Sequence, residues 1–397
     1  MTMALETPGL LSLAAGFTDN QTLPTDAVRA AVEALACQPG EPEYLQYGTN
    51  QGRPGLRRLL AESLAKKERS LSAESVARSM LVTNGSQQAL YLAMQVLCDP
   101  GDIVLVDRPS YFVFLEMLTG LGVQARSLPV GADSRIDGVA LRKLLADMKA
   151  SGETKRLKAL YFVSYFSNPS SRSLTEEEKT VIAEVLAERG LFLPVIEDGA
   201  YRELYYREPC EARSVLSLPP WDAFPKLYLE TLTKPFATGL KVGYGYCSDR
   251  AWLEKMLHVK GCHDFGTANL NQAIFERVLA NGGYEAQLAK IRPHYERKMR
   301  CLHETLISEG LATLGWRWSV PAGGLYLWLE APRNLDTTTD SAFCHACIRE
   351  GVLYVPGSLC FGDNAPRNFV RLSFGVLGGL DLVEAARRFV AVARRFG

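Results

Sequence analysis

Seven short apolar or β-branched runs, separated by longer segments of helical period, fill residues 79–247, and this alternation limits the fold more than any other feature. The runs are 79-SMLVTN-84, 102-DIVLVD-107, 123-VQARSLPV-130, 157-LKALYFVS-164, 191-LFLPVIED-198, 226-KLYLETL-232 and 242-VGYGYC-247. Between them lie stretches such as 86-SQQALYLAMQVLC-98 and 175-TEEEKTVIAEVLAERG-190. The second opens on a Thr175/Glu178 capping box and closes on Gly190. Strands alternating with helices predict an α/β fold: a mostly parallel seven-stranded sheet with helices on both faces. Only about nine residues separate the last two runs, too few for a helical crossover, so that pair is expected to be antiparallel.

After about residue 285 the texture changes. A long charged helix is predicted over 284–309, followed by 323-GGLYLWLE-330, 352-VLYVPG-357, 369-FVRLSFG-375 and a closing helix over 380–396. This reads as a smaller α+β domain. The expected division is a large domain over 46–284, and a small one built from 1–45 together with 285–397. A chain of 397 residues is long enough for both.

The 44 basic and 44 acidic residues cancel. A neutral chain offers no global field for nucleic acid, so any anion must be held locally. No apolar run approaches the roughly 20 residues of a bilayer span. The N-terminal GLLSLAAGF has no Lys or Arg ahead of it and makes a poor signal peptide. Nine scattered cysteines read as free thiols in a reducing cytoplasm. Cys344 and Cys347 have CxxC spacing but sit in a helical pattern with no second ligand pair nearby, and read as packing; no metal is expected.

Open α/β sheets bind ligands beyond the carboxyl ends of their strands, so the residues just past each run carry the functional reading. Gly85, Ser86 and Gln87 open a helix after the first run, where free N–H groups and the dipole suit a phosphate; a plain N-cap by Asn84 or Ser86 is the competing reading. Tyr111 follows the second run as an aromatic plane, or as core. Asn168 precedes a proline after the fourth, an arrangement that aims its amide outward or simply makes a turn. Asp198 ends the fifth run half-buried and should want a cationic partner, with Tyr201 three residues on. Then 230-ETLTKPFATGLKVGYGYC-247 brings Lys234, able to form a Schiff base with an aldehyde. Thr231, Thr233 and Lys241 in the same stretch supply hydroxyls and a cation for a phosphate. One molecule needs all of these at once: a pyridine ring with an acidic partner for its nitrogen, a donor for its phenolic oxygen, a lysine for its aldehyde and a nest for its phosphate. That molecule is pyridoxal phosphate.

From about residue 12 to the C-terminus the chain resembles the fold-type-I, class I/II aminotransferases, especially the aminoadipate and broad-range amino-acid branch. The resemblance rests on these motifs in order, including the interval from Asp198 to Lys234. It implies a ping-pong exchange of an amino group between an L-amino acid and a 2-oxo acid. Lys234 is then the Schiff-base lysine and the proton shuttle, Asp198 the partner of the pyridine nitrogen, and Tyr111 the stacking ring. Asn168 and Tyr201 hold the phenolic oxygen. It further implies that Tyr47, in 46-QYGTNQGRPGLRRLL-60, reaches a partner subunit's phosphate in a homodimer, that Arg371 grips the substrate α-carboxylate, and that Gly16 lines the substrate side.

The chain departs from the family's pattern in three places. Lys241 stands where arginine is usual, which keeps the charge and loses the planar fork. The sequence 168-NPSS-171 has Ser171 where glycine is common, and only about fifteen residues precede Gly16. An alternative with the same cofactor site is a lyase, cyclase or oxidase acting on an amino acid, since fold does not fix which bond breaks. A non-catalytic ligand sensor is a third reading; the neutral charge speaks against it. No arginine lies in 16-GFTDNQTLP-24 to clamp a distal carboxylate, so aromatic or aliphatic amino acids are favoured over dicarboxylic ones.

Overall fold

The computed structural model describes residues 9–68 and 71–397. Its thirteen described strands are β1 (Leu11–Ser12), β2 (Met80–Thr83), β3 (Ile103–Val106), β4 (Gln124–Ser127), β5 (Leu157–Val163), β6 (Val195–Asp198), β7 (Lys226–Thr231), β8 (Gly243–Cys247), β9 (Arg317–Trp318), β10 (Tyr326–Glu330), β11 (Val352–Leu353), β12 (Val355–Pro356) and β13 (Phe369–Ser373). Seven form one sheet in the order β2-β8-β7-β6-β5-β3-β4. β3 to β7 run parallel to their neighbours, while β8 is antiparallel to both β7 and β2. The antiparallel pair anticipated from the short connection is therefore present.

The central strands read as continuous apolar runs because both faces are covered. β5 shows this residue by residue: Tyr161 packs into a core with Phe114 and Trp252 on one face, and Phe162 into a core with Leu186 and Trp221 on the other. Two runs are shorter than their sequence suggested. The ladder of β6 begins at Val195 because Pro194 has no N–H to give it, and β4 stops before Pro129. The Glu176–Ala187 helix does open on the Thr175/Glu178 capping box.

β12-β13-β10-β9 make a second, antiparallel sheet, and β1 pairs in parallel with β11. Past β1, Leu13 O accepts from Ser373 N at 2.6 Å, laying residues 14–16 beside the end of β13. Asp19 then anchors the segment to the long Gly283–Ser308 helix through Lys298 Nζ at 2.7 Å and His294 Nε2 at 3.0 Å. Cys344 and Cys347 are buried, free thiols on the Ala342–Arg349 helix, whose first turn is capped by Ser341 Oγ.

Candidate active site

The carboxyl ends of β2, β3, β5, β6 and β7 converge on one region. A cavity of about 550 Å³ opens there between the large sheet, residues 14–17 and the β11–β13 segment. Lys234, Asn168, Tyr201, Tyr111, Gly16 and Arg371 all line it. Six residues spread over 356 positions of sequence are thus brought together.

Lys234 sits in the turn after β7 and donates a hydrogen bond from Nζ to Gly16 O. Burial lowers its pKa from 10.5, and the positive charges of Arg371 and Lys241 press the same way, while Tyr326 opposes them. The amine is therefore biased toward its neutral, nucleophilic form.

Asp198 closes β6 fully buried. It accepts from Ala200 N at 2.8 Å and from Tyr161 Oη at 3.1 Å, and burial pushes its carboxyl up to about 6. Among the described residues no Lys, Arg or His pairs with it. A buried carboxylate with two neutral donors and no cation is a site that a cation would complete.

Arg371 projects from β13 and is 2% exposed. Its Nη1 donates to Asn168 Oδ1 at 2.7 Å and its Nη2 to Ala14 O at 2.5 Å, while Nε has no partner. With Oδ1 of Asn168 occupied, the Nδ2 end of that amide is left to donate into the cavity. Tyr201 Oη lies 2.9 Å from Tyr326 Oη.

The phosphate-type turn is open rather than capped. The Gly85–Leu97 helix has no side-chain cap, because Asn84 Nδ2 instead donates to Asp264 Oδ2 at 2.8 Å. Competition from a plain N-cap by Asn84 is thereby removed. Register places Thr83, Gly243 and Thr231 abreast. Gly243 must be glycine here: a Cβ on it would stand 2.5 Å from Gly85 C and Ser86 N. Thr233 reaches the same corner, its methyl 3.9 Å from where a Gly85 Cβ would lie, and its hydroxyl is 2.7 Å from that of Thr231. Ser86 and Gln87 are half-buried on the first turn of the helix.

Two predicted residues stand apart. Lys241 is exposed, in a left-handed backbone conformation at φ 54°. Tyr47 is 77% exposed and packs edge-on against Phe265, itself exposed, at 5.4 Å.

Several site residues escaped the sequence reading. Tyr326 lies with its ring 4.2 Å from the Arg371 guanidinium, Phe112 stacks below the same group at 5.3 Å, and Tyr161 donates to Asp198. Asp107, buried at the end of β3 and raised to about 7 by desolvation, accepts from Val163 N at 3.0 Å. The available signal was that a buried strand tyrosine must find a partner for its hydroxyl.

The residues therefore fit pyridoxal phosphate on structural grounds: a desolvated lysine lining the cavity, a buried carboxylate lacking a cation at the end of β6, and an uncapped helix N-terminus beside paired threonine hydroxyls at the ends of β2 and β7. Fold and site together define a fold-type-I pyridoxal-phosphate enzyme. The family model for aminotransferase class I and II matches residues 8–384, and the chain belongs to that family. It is a pyridoxal-phosphate-dependent aminotransferase.

Among its relatives, the 2-aminoadipate transaminase of Thermus thermophilus is 29% identical over 382 residues, covering 96% of this chain and 89% of that protein. The crystal structure of Pyrococcus horikoshii kynurenine aminotransferase in complex with PMP superposes with a TM-score of 0.86 at 27% identity, over 98% of this chain and 92% of that one. The alpha-aminoadipate aminotransferase of T. thermophilus, complexed with N-(5'-phosphopyridoxyl)-L-leucine, superposes with a TM-score of 0.82 at 28% identity, over 100% and 95%.

Proposed function

We propose that the chain transfers the amino group of an L-amino acid with an aliphatic or aromatic side chain to a 2-oxo acid by a ping-pong mechanism. The cavity is the observation that carries this reading: Lys234 Nζ and the buried Arg371 guanidinium face the same space, whose outer wall is mostly apolar. Phe17, Val113, Leu353, Val355 and Leu359 make up most of that wall, with one exposed carboxylate, Glu116, beside them, and among the described residues Arg371 is the one guanidinium on it. One positive fork can hold an α-carboxylate, and the apolar wall suits an uncharged side chain.

Bound at this site, pyridoxal phosphate supplies an aldehyde carbon for the amine and a ring that takes up electrons from the substrate Cα. Asp198 would hold the positive charge of the ring nitrogen, while Tyr201 and Asn168 would donate to the phenolic oxygen. The N–H groups of Gly85, Ser86 and Gln87, with Thr231 and Thr233 and the more distant charge of Lys241, would hold the phosphate. Tyr111 would cover the ring. Arg371 would orient the substrate so that its Cα–H lies within reach of Lys234, which takes up that proton as a base and gives it back as an acid. Gly16 closes the substrate side and, through its carbonyl, steadies the lysine between turnovers.

The cleft is read as lying between a large domain (46–284) and a small one (1–45 with 285–397). The protein is read as a homodimer, because Tyr47, Leu45 and Phe265 expose apolar surface, Tyr47 and Phe265 packing against each other at that surface. None of its helices, among the described residues, is long and apolar enough to cross a membrane. The nine free cysteines fit a reducing cytoplasm.

The test is the half-reaction. Cofactor-loaded protein is mixed with single amino acids and no acceptor, and the products are counted. One equivalent of the matching 2-oxo acid per site supports transfer; release of ammonia supports a lyase or oxidase instead.

A further inference from the structure

Tyr326 belongs to no role assigned so far, yet it is among the most constrained side chains in the site. Its ring is 1% exposed and stands at 71° to that of Tyr201, with centroids 5.8 Å apart. One face is covered by the Arg371 guanidinium at 4.2 Å. Its backbone is fixed from both sides, by the pairing of Tyr326 with Ser373 and by Ser171 Oγ donating to Tyr326 O at 2.8 Å. Gly16 leaves just enough room for the hydroxyl: a Cβ there would come within 2.8 Å of it. A buried phenol needs a hydrogen-bond partner, and the one this hydroxyl finds is Tyr201 Oη at 2.9 Å.

Each phenol has a single proton to give. If Tyr201 spends its proton on the phenolic oxygen of pyridoxal phosphate, as proposed above, it must accept from Tyr326. We propose that Tyr326 is a positioning residue in a two-phenol relay, Tyr326 O–H to Tyr201 O–H to the cofactor's phenolic oxygen. The relay sets the pH at which the proton shared between that oxygen and Lys234 is lost. The inference rests on the assignment of Tyr201 and Lys234.

Hydrogen bonds in a chain polarise one another, so donation from Tyr326 makes Tyr201 a stronger donor. A stronger donor draws charge from the phenolic oxygen, lowers its basicity and releases the shared proton at lower pH. The charged and titratable groups facing this corner are Arg371 on β13, Lys241 beyond β7, Asp198 on β6, Tyr111 ahead of its helix and Glu116 on that helix. Arg371 and Lys241 push in the same direction as the relay, Glu116 pushes against it, and Asp198 is engaged by the ring nitrogen. None of the five is altered by removing one phenolic oxygen from Tyr326.

The test is the visible absorption of cofactor-loaded protein as a function of pH. In Tyr326→Phe the midpoint of the band change should move up by about half a unit relative to wild type. In a Tyr201→Phe background, Tyr326→Phe should add nothing, because the relay is already cut. An unmoved midpoint in Tyr326→Phe, or a shift that persists without the Tyr201 hydroxyl, overturns the relay while leaving the aminotransferase reading intact. If wild-type protein gains no pH-dependent visible band on addition of pyridoxal phosphate, the assignment of Lys234 fails, and the relay with it.

Discussion

Arg371 Nη1 donates to Asn168 Oδ1 at 2.7 Å, joining two residues 203 positions apart. Arg371 comes from the small antiparallel sheet, and Asn168 from the loop leaving β5 of the large one. The bond ties the group proposed to hold substrate to a group proposed to hold cofactor. It also orients both, turning the Asn168 amide nitrogen into the cavity and fixing the plane of the guanidinium before any carboxylate arrives. Preorganisation of this kind lowers the cost of binding.

Arg371→Lys keeps the charge and loses the fork. Its single ammonium cannot serve Asn168, Ala14 and a carboxylate together in the same plane. We expect kcat/KM for amino acids to fall by about 100-fold, mostly through KM. The visible spectrum of the cofactor-loaded protein should change little. Steady-state kinetics against absorbance decides: unchanged KM, or loss of the cofactor band with unchanged KM, would contradict the assignment.

The sheet was legible because parallel strands buried on both faces write themselves as continuous apolar runs. The positions after those runs were legible because topology sends ligands there. Asp198 and Lys234 could be found this way, since an acid or lysine ending a buried strand is chemically conspicuous. Tyr161 and Tyr326 could not: in 157-LKALYFV-163 and 323-GGLYLWLE-330 each looks like one more core aromatic. In the register Tyr161 lies opposite Ile196, and only the pairing of β5 with β6 lets its hydroxyl reach two residues on to Asp198; only the packing of β10 over the Tyr201 turn sets Tyr326 beside Tyr201. The uncapped helix start at Gly85 was undecidable for the same reason, because the residue that diverts Asn84 is Asp264, 180 positions away.

Burial raises Asp198 from 3.8 to about 6 and Asp107 from 3.8 to about 7 in the cofactor-free protein. An acid whose folded pKa exceeds its unfolded one holds its proton more tightly when folded. Its contribution to stability is full below the unfolded value and is lost as pH rises through the folded one. For Asp198 alone the loss between pH 4 and pH 6 is about 2 kcal/mol. A ring nitrogen carrying positive charge reverses this at Asp198 by favouring the ionised carboxylate. The rise in Tm on adding pyridoxal phosphate should therefore be larger at pH 7.5 than at pH 5.5, and Asp198→Asn should remove the difference. Equal increments at both pH values in the wild type would sink the pairing.

Lys241 sits exposed, and its charge is felt at Lys234. As a point charge in water it adds little beyond Coulomb attraction. Lys241→Ala should weaken cofactor affinity by about fivefold at low salt, and most of that difference should vanish near 0.5 M salt. Lys241→Arg should restore it or improve on it, since a guanidinium can fork onto phosphate. Fluorescence titration of apo protein provides the numbers. An alanine variant that binds like wild type at low salt would remove Lys241 from the phosphate site.

Tyr47 offers the sharpest test of assembly. It is exposed on its own subunit and is proposed to serve the partner's phosphate, so a defect at Tyr47 should appear in the site of the neighbouring chain. Tyr47→Ala and Lys234→Ala should each be strongly impaired as pure proteins. In a mixed dimer, the subunit that retains Lys234 receives an intact Tyr47 from its partner, and one complete site is rebuilt. Random exchange of equal amounts should therefore recover about a quarter of wild-type activity, because half of the dimers are mixed and each carries one good site. If Tyr47 worked within its own subunit, every site in the mixture would still lack one of the two residues. Activity would then stay at the sum of the two parents after exchange, and the intersubunit role would be excluded.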